Sequence, residues 1–446
     1  MKQPYLSADE VVAILDISKA TLYSYVSRGF IRSEETGDKT RARRYVASDV
    51  EALRQRKEQR RNPAQSAAAA LHFGDPVLES AITFIAENEL YYRGQNALTL
   101  AAQLRFEDVV VLLWTGTTAG VDALMAGAAP LAPLAPALQA AIHALVQQGH
   151  VADALPMALL ATAPTDLGAY NQASDAVART GLRILHRFID VLTIGEKSIG
   201  GKSTVPPADG VVQEEQLYAQ QEEREVVAQE VVGQKMVAQR LQERWVSNQP
   251  QLAAPLNGAL ILCADHELNA SSFTARCVAS TGATPYAAVV AALAALQGYK
   301  HGGATCAVAS FLREAEDDPK RATEERLRFG GSLPGFGHPL YPAGDPRGRM
   351  LLTLAAEHAL NPHVVTQADE ICAVARQAMQ LEPNLDFGLT VMAQGFGLPS
   401  YAPFALFALG RTAGWIGHCI EQYAEDRLIR PRARYTGIEP QAGTGL

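Results

Sequence analysis

The sequence predicts a mainly α-helical protein with a small basic module of capped helices at its N-terminus. Helix-length apolar patterns recur at Phe106–Leu113, Ala135–Val146 and Pro285–Gln297, whereas strand-like alternation is scarce. Two short, well-capped helical stretches flank a tight turn near the start. Charge divides along the chain. Residues 1–62 hold 13 Lys/Arg against 9 Asp/Glu, and the remainder holds 26 against 38, beneath an overall −8. A basic head on an acidic body implies two modules with different partners.

A chain of 446 residues, 48% hydrophobic and 19% charged, is long enough for two or three domains with a sizeable core and too apolar to be largely disordered. No apolar run reaches the roughly 18 residues of a membrane span, and the start lacks a basic-then-apolar leader pattern. Cys263, Cys277, Cys306, Cys372 and Cys419 form no CxxC pair, so we expect reduced thiols and a cytoplasmic location.

Ser7 opens a helix over Ala8–Leu15, with Glu10 completing a capping box. Ser18 caps a second helix over Lys19–Arg28, ended by Gly29. A charged, turn-rich stretch from Glu34 to Arg44 reads as a β-hairpin, and a third helix is expected over Ser48–Arg61. Two capped helices across a tight turn form a helix-turn-helix pattern. In it Thr21, Tyr23, Ser24 and Arg28 would lie near a DNA major groove, and Arg41, Arg43 and Arg44 would reach phosphates. The stretch YLSADEVVAILDISKATLYSYVSRGFI with its RARRY wing resembles the winged helix-turn-helix of excisionase and MerR-type regulators. A plain helical interaction module with solvated arginines is the competing reading. A linker follows over residues 63–75, and Gln213 to Gln242 reads as one or two exposed helices.

Several motifs fail on inspection. Gly200 to Thr204 (GGKST) ends like a phosphate-binding loop, but Glu196 stands where the first glycine is required. His266-Glu267-Leu268-Asn269-Ala270 has Ala270 in the second histidine's place of a zinc helix, and no metal site is expected. Gly330 to Gly337 is glycine-rich but contains Pro334 and lacks a strand–helix setting.

The chemistry-bearing residues lie in the second half. His266 (ADHELNASS), His301 (GYKHGGA) and His338 (PGFGHPLYPAGDPR) sit in polar, glycine-rich surroundings where a ligand can approach the backbone. Asp386 lies in the apolar context PNLDFGL, and Arg347, Arg411 and Arg430 follow or precede it. Three histidines, a shielded aspartate and several arginines suit proton abstraction beside a carbonyl, with a polyanionic co-substrate held by guanidinium groups.

With YRG at Tyr92–Gly94, FEDVVVLLWTG at Phe106–Gly116, ADHELNAS, HGGA, GFGH…GDPR, LDF and RPRARYTG, the chain from about Ile82 to Gly437 resembles the citrate synthase family. The resemblance implies a mainly α fold with a large domain over 76–301 and 406–446 and a small domain over 302–405 that closes on the substrates. The head would occupy 1–62. It also implies a homodimer or higher even oligomer, oxaloacetate and an acyl-CoA as partners, and no cofactor, since acetyl-CoA is a substrate. Carried over residue by residue, the catalytic trio falls on His301, His338 and Asp386. Asp386 would take a proton from the thioester methyl group, His301 would hydrogen-bond the thioester oxygen, and His338 would polarise the acceptor ketone. Arg347, Arg411 and Arg430 match the carboxylate-binding arginines, Arg430 for the neighbouring subunit, and His266 and Asn269 fall in the oxaloacetate-contacting motif.

The departures concern coenzyme A. Thr305 and Cys306 follow HGGA where asparagine is usual, Pro339 replaces an arginine and Pro342 a lysine, and Lys300 stands where an apolar residue is common. The expected reaction is condensation of acetyl-CoA with oxaloacetate and water to citrate and CoA. Propionyl-CoA giving 2-methylcitrate is the close alternative, and a DNA-binding regulator with a sensor body is the alternative from another class.

Overall fold

The computed structural model describes residues 5–35, 43–47, 49–50, 53–54, 78–127, 131–194, 236–433 and 435–438. Contacts divide the chain between Glu79 and Ser80 into two compact units.

The first unit comprises β1 (Tyr5–Leu6), α1 (Ala8–Leu15), α2 (Lys19–Ser27), β2 (Ser33–Glu35) and β3 (Arg43–Val46). The capping box forms: Ser7 Oγ accepts the Glu10 N–H at 3.3 Å, and the Glu10 carboxylate accepts the Ser7 N–H at 2.7 Å. Ser18 Oγ likewise accepts the Thr21 N–H, and Gly29 leaves α2 at φ +76°. The strands form an antiparallel sheet in the order β1-β3-β2, with Tyr45 opposite Leu6 and Ser33. Val11, Leu15, Leu22, Ile31, Tyr45 and Val50 are its core. Arg41, most of the third helix expected over Ser48–Arg61, the 63–75 linker and the Gly200–Thr204 motif lie outside the described residues.

The second unit opens with an antiparallel meander, β4 (Thr83–Ala86), β5 (Glu89–Tyr92) and β6 (Gln95–Asn96). The sequence reading missed it because strands of two to four residues are too short for alternation to register. Glu87 and Asn88, at φ +51° and +66°, make its first turn.

Helices follow: α3 (Ala97–Gln103), α4 (Phe106–Thr115), α5 (Val121–Ala126), α6 (Pro136–Gln147), α7 (Val151–Thr162), α8 (Ser174–Thr193), α9 (Val237–Trp245), α10 (Ala253–Cys263), α11 (Ala270–Ala279) and α12 (Pro285–Leu296). Next come α13 (Ala304–Glu314), α14 (Pro319–Arg328), α15 (Pro346–His358), α16 (Pro362–Met379), α17 (Leu385–Gly395) and α18 (Ala402–Glu425). None of the described helices is long and apolar enough to cross a membrane.

Every residue of α18 from Ala402 to Ile420 is buried, which makes it the central helix, packed by α4, α8, α10, α11 and α12. Two glycines permit this closeness. A Cβ on Gly410 would lie 2.5 Å from the Leu260 carbonyl oxygen, and one on Gly414 would lie 2.5 Å from that of Ala264. Helices α13 to α17 pack mainly on one another, α15 against α17 most extensively.

One expectation is corrected. The described end of the Gln213–Gln242 stretch is not an exposed helix. Val237, Ala238, Leu241 and Gln242 of α9 are buried, and the Glu107 carboxylate accepts the Val237 N–H at 2.7 Å.

Candidate active site

Three helix N-termini carry the site, each capped by a short polar side chain that accepts backbone N–H groups. Asn269 caps α11, Asp345 caps α15 and Asn384 caps α17. The positive end of a helix dipole favours an anionic ligand, and here these ends accompany two buried guanidinium groups.

Tyr341 is one hub. Its hydroxyl lies 3.0 Å from His266 Nε2, its ring centroid 5.0 Å from that of His338, and the Arg347 guanidinium carbon 5.5 Å above its ring. The rings of His266 and His338 meet edge to face at 5.0 Å. Phe407 is the second hub. His301 stands edge-on to it at 5.7 Å, and the Arg411 guanidinium carbon lies 4.9 Å over its face. Arg411 Nε donates to the Cys263 carbonyl at 2.8 Å, fixing the guanidinium in the core.

All three imidazoles are held neutral. Burial pushes His301 down to about 3 and His338 down to about 4, with the Arg411 and Arg347 charges adding in the same direction. Burial also carries His266 well below its ordinary value, reinforced by Arg347. Neutral rings donate through one nitrogen only, and the surroundings select which. The Leu340 N–H donates to His338 Nδ1 at 3.2 Å, which leaves the His338 proton on Nε2. His301 Nε2 is 2.8 Å from Ser271 Oγ, which also accepts the Trp415 indole N–H at 3.1 Å. The Ser271 hydroxyl also lies 2.8 Å from Asn269 Oδ1, to which it donates; turned instead to His301 Nε2, it would leave the His301 proton on Nδ1, the tautomer a donor into the site requires.

Asp386 sits in the first turn of α17. Its Oδ1 is shut away from solvent without a hydrogen-bond partner, and burial raises the carboxyl to about 7 against the opposing charges of Arg347 and Arg411. A desolvated carboxyl poised near neutrality, within range of the charges of Arg347, Asp345 and Arg411, is equipped to accept a proton from carbon.

The family model described as citrate synthase, C-terminal domain, matches residues 73–432. The chain belongs to the citrate synthase family. It is 31% identical over 385 residues to a citrate synthase of Haloferax volcanii, covering 81% of this chain and 93% of that one. It is 29% identical over 364 residues to 2-methylcitrate synthase 1 of Corynebacterium glutamicum, covering 79% and 90%. Among solved structures it resembles citrate synthase of Thermotoga maritima, with TM-score 0.64, 24% identity and coverage of 83% and 96%. The same score at 23% identity relates it to a Thermoplasma acidophilum citrate synthase in ternary complex with carboxymethyl coenzyme A and oxaloacetate, again covering 83% and 96%.

Within this citrate synthase family chain, the fold brings His266, Asn269, His301, His338, Arg347, Asp386 and Arg411 onto neighbouring elements. It does not bring Arg430 to them: that residue lies exposed beyond the end of α18. Pro339, Pro342, Cys306 and Lys300 are all exposed, whereas Thr305 is buried with its hydroxyl donating to the Gly302 carbonyl. Sequence reasoning missed Tyr341, Phe407, Ser271, Trp415 and Asp345 as parts of the site. Tyr341, Ser271 and Asp345 stand inside motifs that were singled out, but nothing local marks Phe407 or Trp415 among the apolar residues of α18.

In the N-terminal unit, Tyr23, Arg28 and Arg43 are exposed while Thr21 and Ser24 are half-buried. Arg44 is engaged: it pairs with Glu34 at 3.0 Å and lies 4.2 Å over the Tyr5 ring. Lys19 and Arg32 pair with Asp9 and Asp49. Much of the described positive charge is therefore neutralised within the unit.

Proposed function

We propose that this protein condenses an acyl-CoA with oxaloacetate through an enolate, with acetyl-CoA as the donor and citrate as the product. The observation that carries the reading is the shielded, unpartnered Asp386 carboxyl near neutrality, within range of the buried Arg347 and Arg411, in a fold that also carries three neutral, desolvated histidines.

In this reading Asp386 takes a proton from the carbon next to the thioester carbonyl, and the C–H electron pair becomes the enolate. His301 donates to the thioester oxygen as negative charge develops there. His338 donates through Nε2 to the ketone oxygen of oxaloacetate, which takes up the electron pair as the new carbon–carbon bond forms. Arg347 and Arg411 hold carboxylates, His266 and Asn269 line the oxo-acid side, and Arg430 serves the site of a second subunit. Water then cleaves the thioester of the adduct and releases CoA. Residues 302–405 act as the smaller body whose closure excludes bulk water until condensation is complete.

Propionyl-CoA requires room for one more methylene, which discriminates by only about 1–3 kcal/mol. The similarity to 2-methylcitrate synthase 1 of Corynebacterium glutamicum keeps that donor in the test. The test is release of free thiol from acetyl-CoA and from propionyl-CoA, each with and without oxaloacetate. Release that depends on oxaloacetate supports the condensing enzyme, and the ratio of the two kcat/KM values chooses the donor. Binding of oxaloacetate without thiol release from either donor would refute it.

A second reading, in which the N-terminal unit is a winged helix-turn-helix that contacts duplex DNA, is favoured by one observation: exposed Tyr23 and Arg28 lie on and at the end of α2. A duplex affinity falling steeply with salt is its expected signature. Absence of binding near about 50 mM salt would remove it.

A further inference from the structure

We propose that Asp345 is a positioning residue that locks the carboxylate-binding Arg347 and the base-bearing end of α17 into one unit. The proposal rests on the roles given above to Arg347 and Asp386.

The geometry is a four-fold grip by one buried carboxylate. Asp345 Oδ1 accepts Arg347 Nε and the Arg347 backbone N–H, each at 3.0 Å. Its Oδ2 accepts an Arg347 terminal nitrogen at 2.8 Å and the Leu385 N–H at 3.2 Å. Leu385 is the first residue of α17 and the chain neighbour of Asp386. The same two oxygens therefore orient the guanidinium and tether the base's own backbone.

The two helices have no slack between them. A Cβ on Gly388 of α17 would lie 2.8 Å from the Gly348 carbonyl oxygen of α15, and a Cβ on Gly348 would collide with the Asn384 carbonyl. Asn384, whose side chain caps α17 through the Asp386 N–H at 3.0 Å, also donates its amide to the Gly337 carbonyl at 3.2 Å. Its backbone N–H donates to the Gly335 carbonyl at 2.8 Å. The loop carrying His338 is thereby joined to the same block. Arg347, Asp386 and His338 move together or not at all, so a carboxylate seated on Arg347 fixes where the base and the ketone's partner stand.

The grip has an electrostatic side. The charged groups acting on Asp386 are Arg347 and Arg411, which favour its ionised form, and Asp345, which opposes them. Burial alone would raise Asp345 itself, but the charge and hydrogen bonds of Arg347 hold it below the ordinary carboxylate value. Asp345 thus stays ionised and tempers the pull of Arg347 on the base.

The test compares wild type with Asp345→Asn and Asp345→Glu in thermal melts, calorimetric titration with oxaloacetate, and oxaloacetate-dependent thiol release across pH. Asp345→Asn accepts fewer hydrogen bonds and carries no charge. Its KM and Kd for oxaloacetate should rise and its kcat should fall, together by about 10²-fold in kcat/KM. The inflection of its kcat/KM profile should move to lower pH, because Arg347 then acts on Asp386 unopposed. Asp345→Glu keeps the charge but displaces it by one methylene, so it should lose kcat/KM while keeping the wild-type inflection. A folded Asp345→Asn with wild-type kcat, KM and inflection overturns the proposal, as does wild-type kcat/KM in Asp345→Glu if the asparagine variant does not fold. Wild-type protein that releases no thiol would refute the condensing reaction instead. Oxaloacetate titration then still decides, since an unchanged Kd in folded Asp345→Asn overturns the grip on Arg347.

Discussion

His266 and His338 meet edge to face with ring centroids 5.0 Å apart, and both are kept neutral by burial and by Arg347. Tyr341 completes the contact with its hydroxyl 3.0 Å from His266 Nε2. Protonating either ring would place a cation beside a buried guanidinium. The pair is thus an uncharged wall, the surface on which the proposed mechanism polarises a ketone without losing a proton to it.

Removing the Tyr341 hydroxyl tests that wall. Tyr341→Phe leaves His266 Nε2 buried without its partner, a loss of about 1–3 kcal/mol. We expect a higher KM for oxaloacetate with a smaller change in kcat, read from steady-state thiol release. An unchanged KM would mean that the hydroxyl does not orient His266.

Asp386→Asn removes the proposed base while keeping size and shape. Thiol release should fall by about 10²–10⁴-fold in kcat, with oxaloacetate affinity by calorimetry largely retained. Wild-type turnover in this variant would show the base to be misassigned.

The pH profile follows from the same residue. As the proposed base Asp386 must act as a carboxylate, and in the free protein burial pushes it up to about 7. Log kcat/KM should therefore drop about one unit per pH unit on the acid side of that value and level off above it. His301 at about 3 and His338 at about 4 add no inflection near neutrality. A rate independent of pH between about 5 and 8 would contradict the assignment.

Asp386 also links stability to pH. Its folded value is raised from 3.8, so its contribution is present below 3.8 and is lost as pH rises through about 7. The neutral amide of Asp386→Asn avoids that loss. The variant should melt above wild type at pH 8, and the advantage should shrink at pH 5. A wild-type melting temperature at both pH values would show that the carboxyl is not desolvated as described.

Gly414→Ala tests the packing of α18. The added methyl group would collide with Asp265 Oδ1 and lie 2.5 Å from the Ala264 carbonyl oxygen. Asp265 is itself pinned, accepting the Thr83 hydroxyl at 2.6 Å and lying 3.2 Å from His418 Nε2. We expect a loss of about 1–3 kcal/mol and a lower Tm by calorimetry. A Tm equal to wild type would show that α18 can shift without cost.

What the sequence by itself determined is the material of each helix and the kind of chemistry the chain carries. The capping box at Ser7 and Glu10, the helix Ala8–Leu15, the stop at Gly29 and the apolar helix beginning at Pro285 are all local, set by side chains a few residues apart. The long motifs around His266, His301, His338 and Asp386 marked the family in the same way, because each is contiguous.

Only the tertiary structure decided the rest. The short β4–β6 meander carries too few residues for a period to show, and α9 proved buried through its packing on neighbours rather than its composition. Phe407 and Trp415 look like any core aromatic until α18 sets one under His301 and Arg411 and the other against Ser271. The raised carboxyl of Asp386 and the lowered imidazoles have no local signal at all. They follow from desolvation and from charges on separate helices, which come within range only when α10, α11, α15, α17 and α18 pack together.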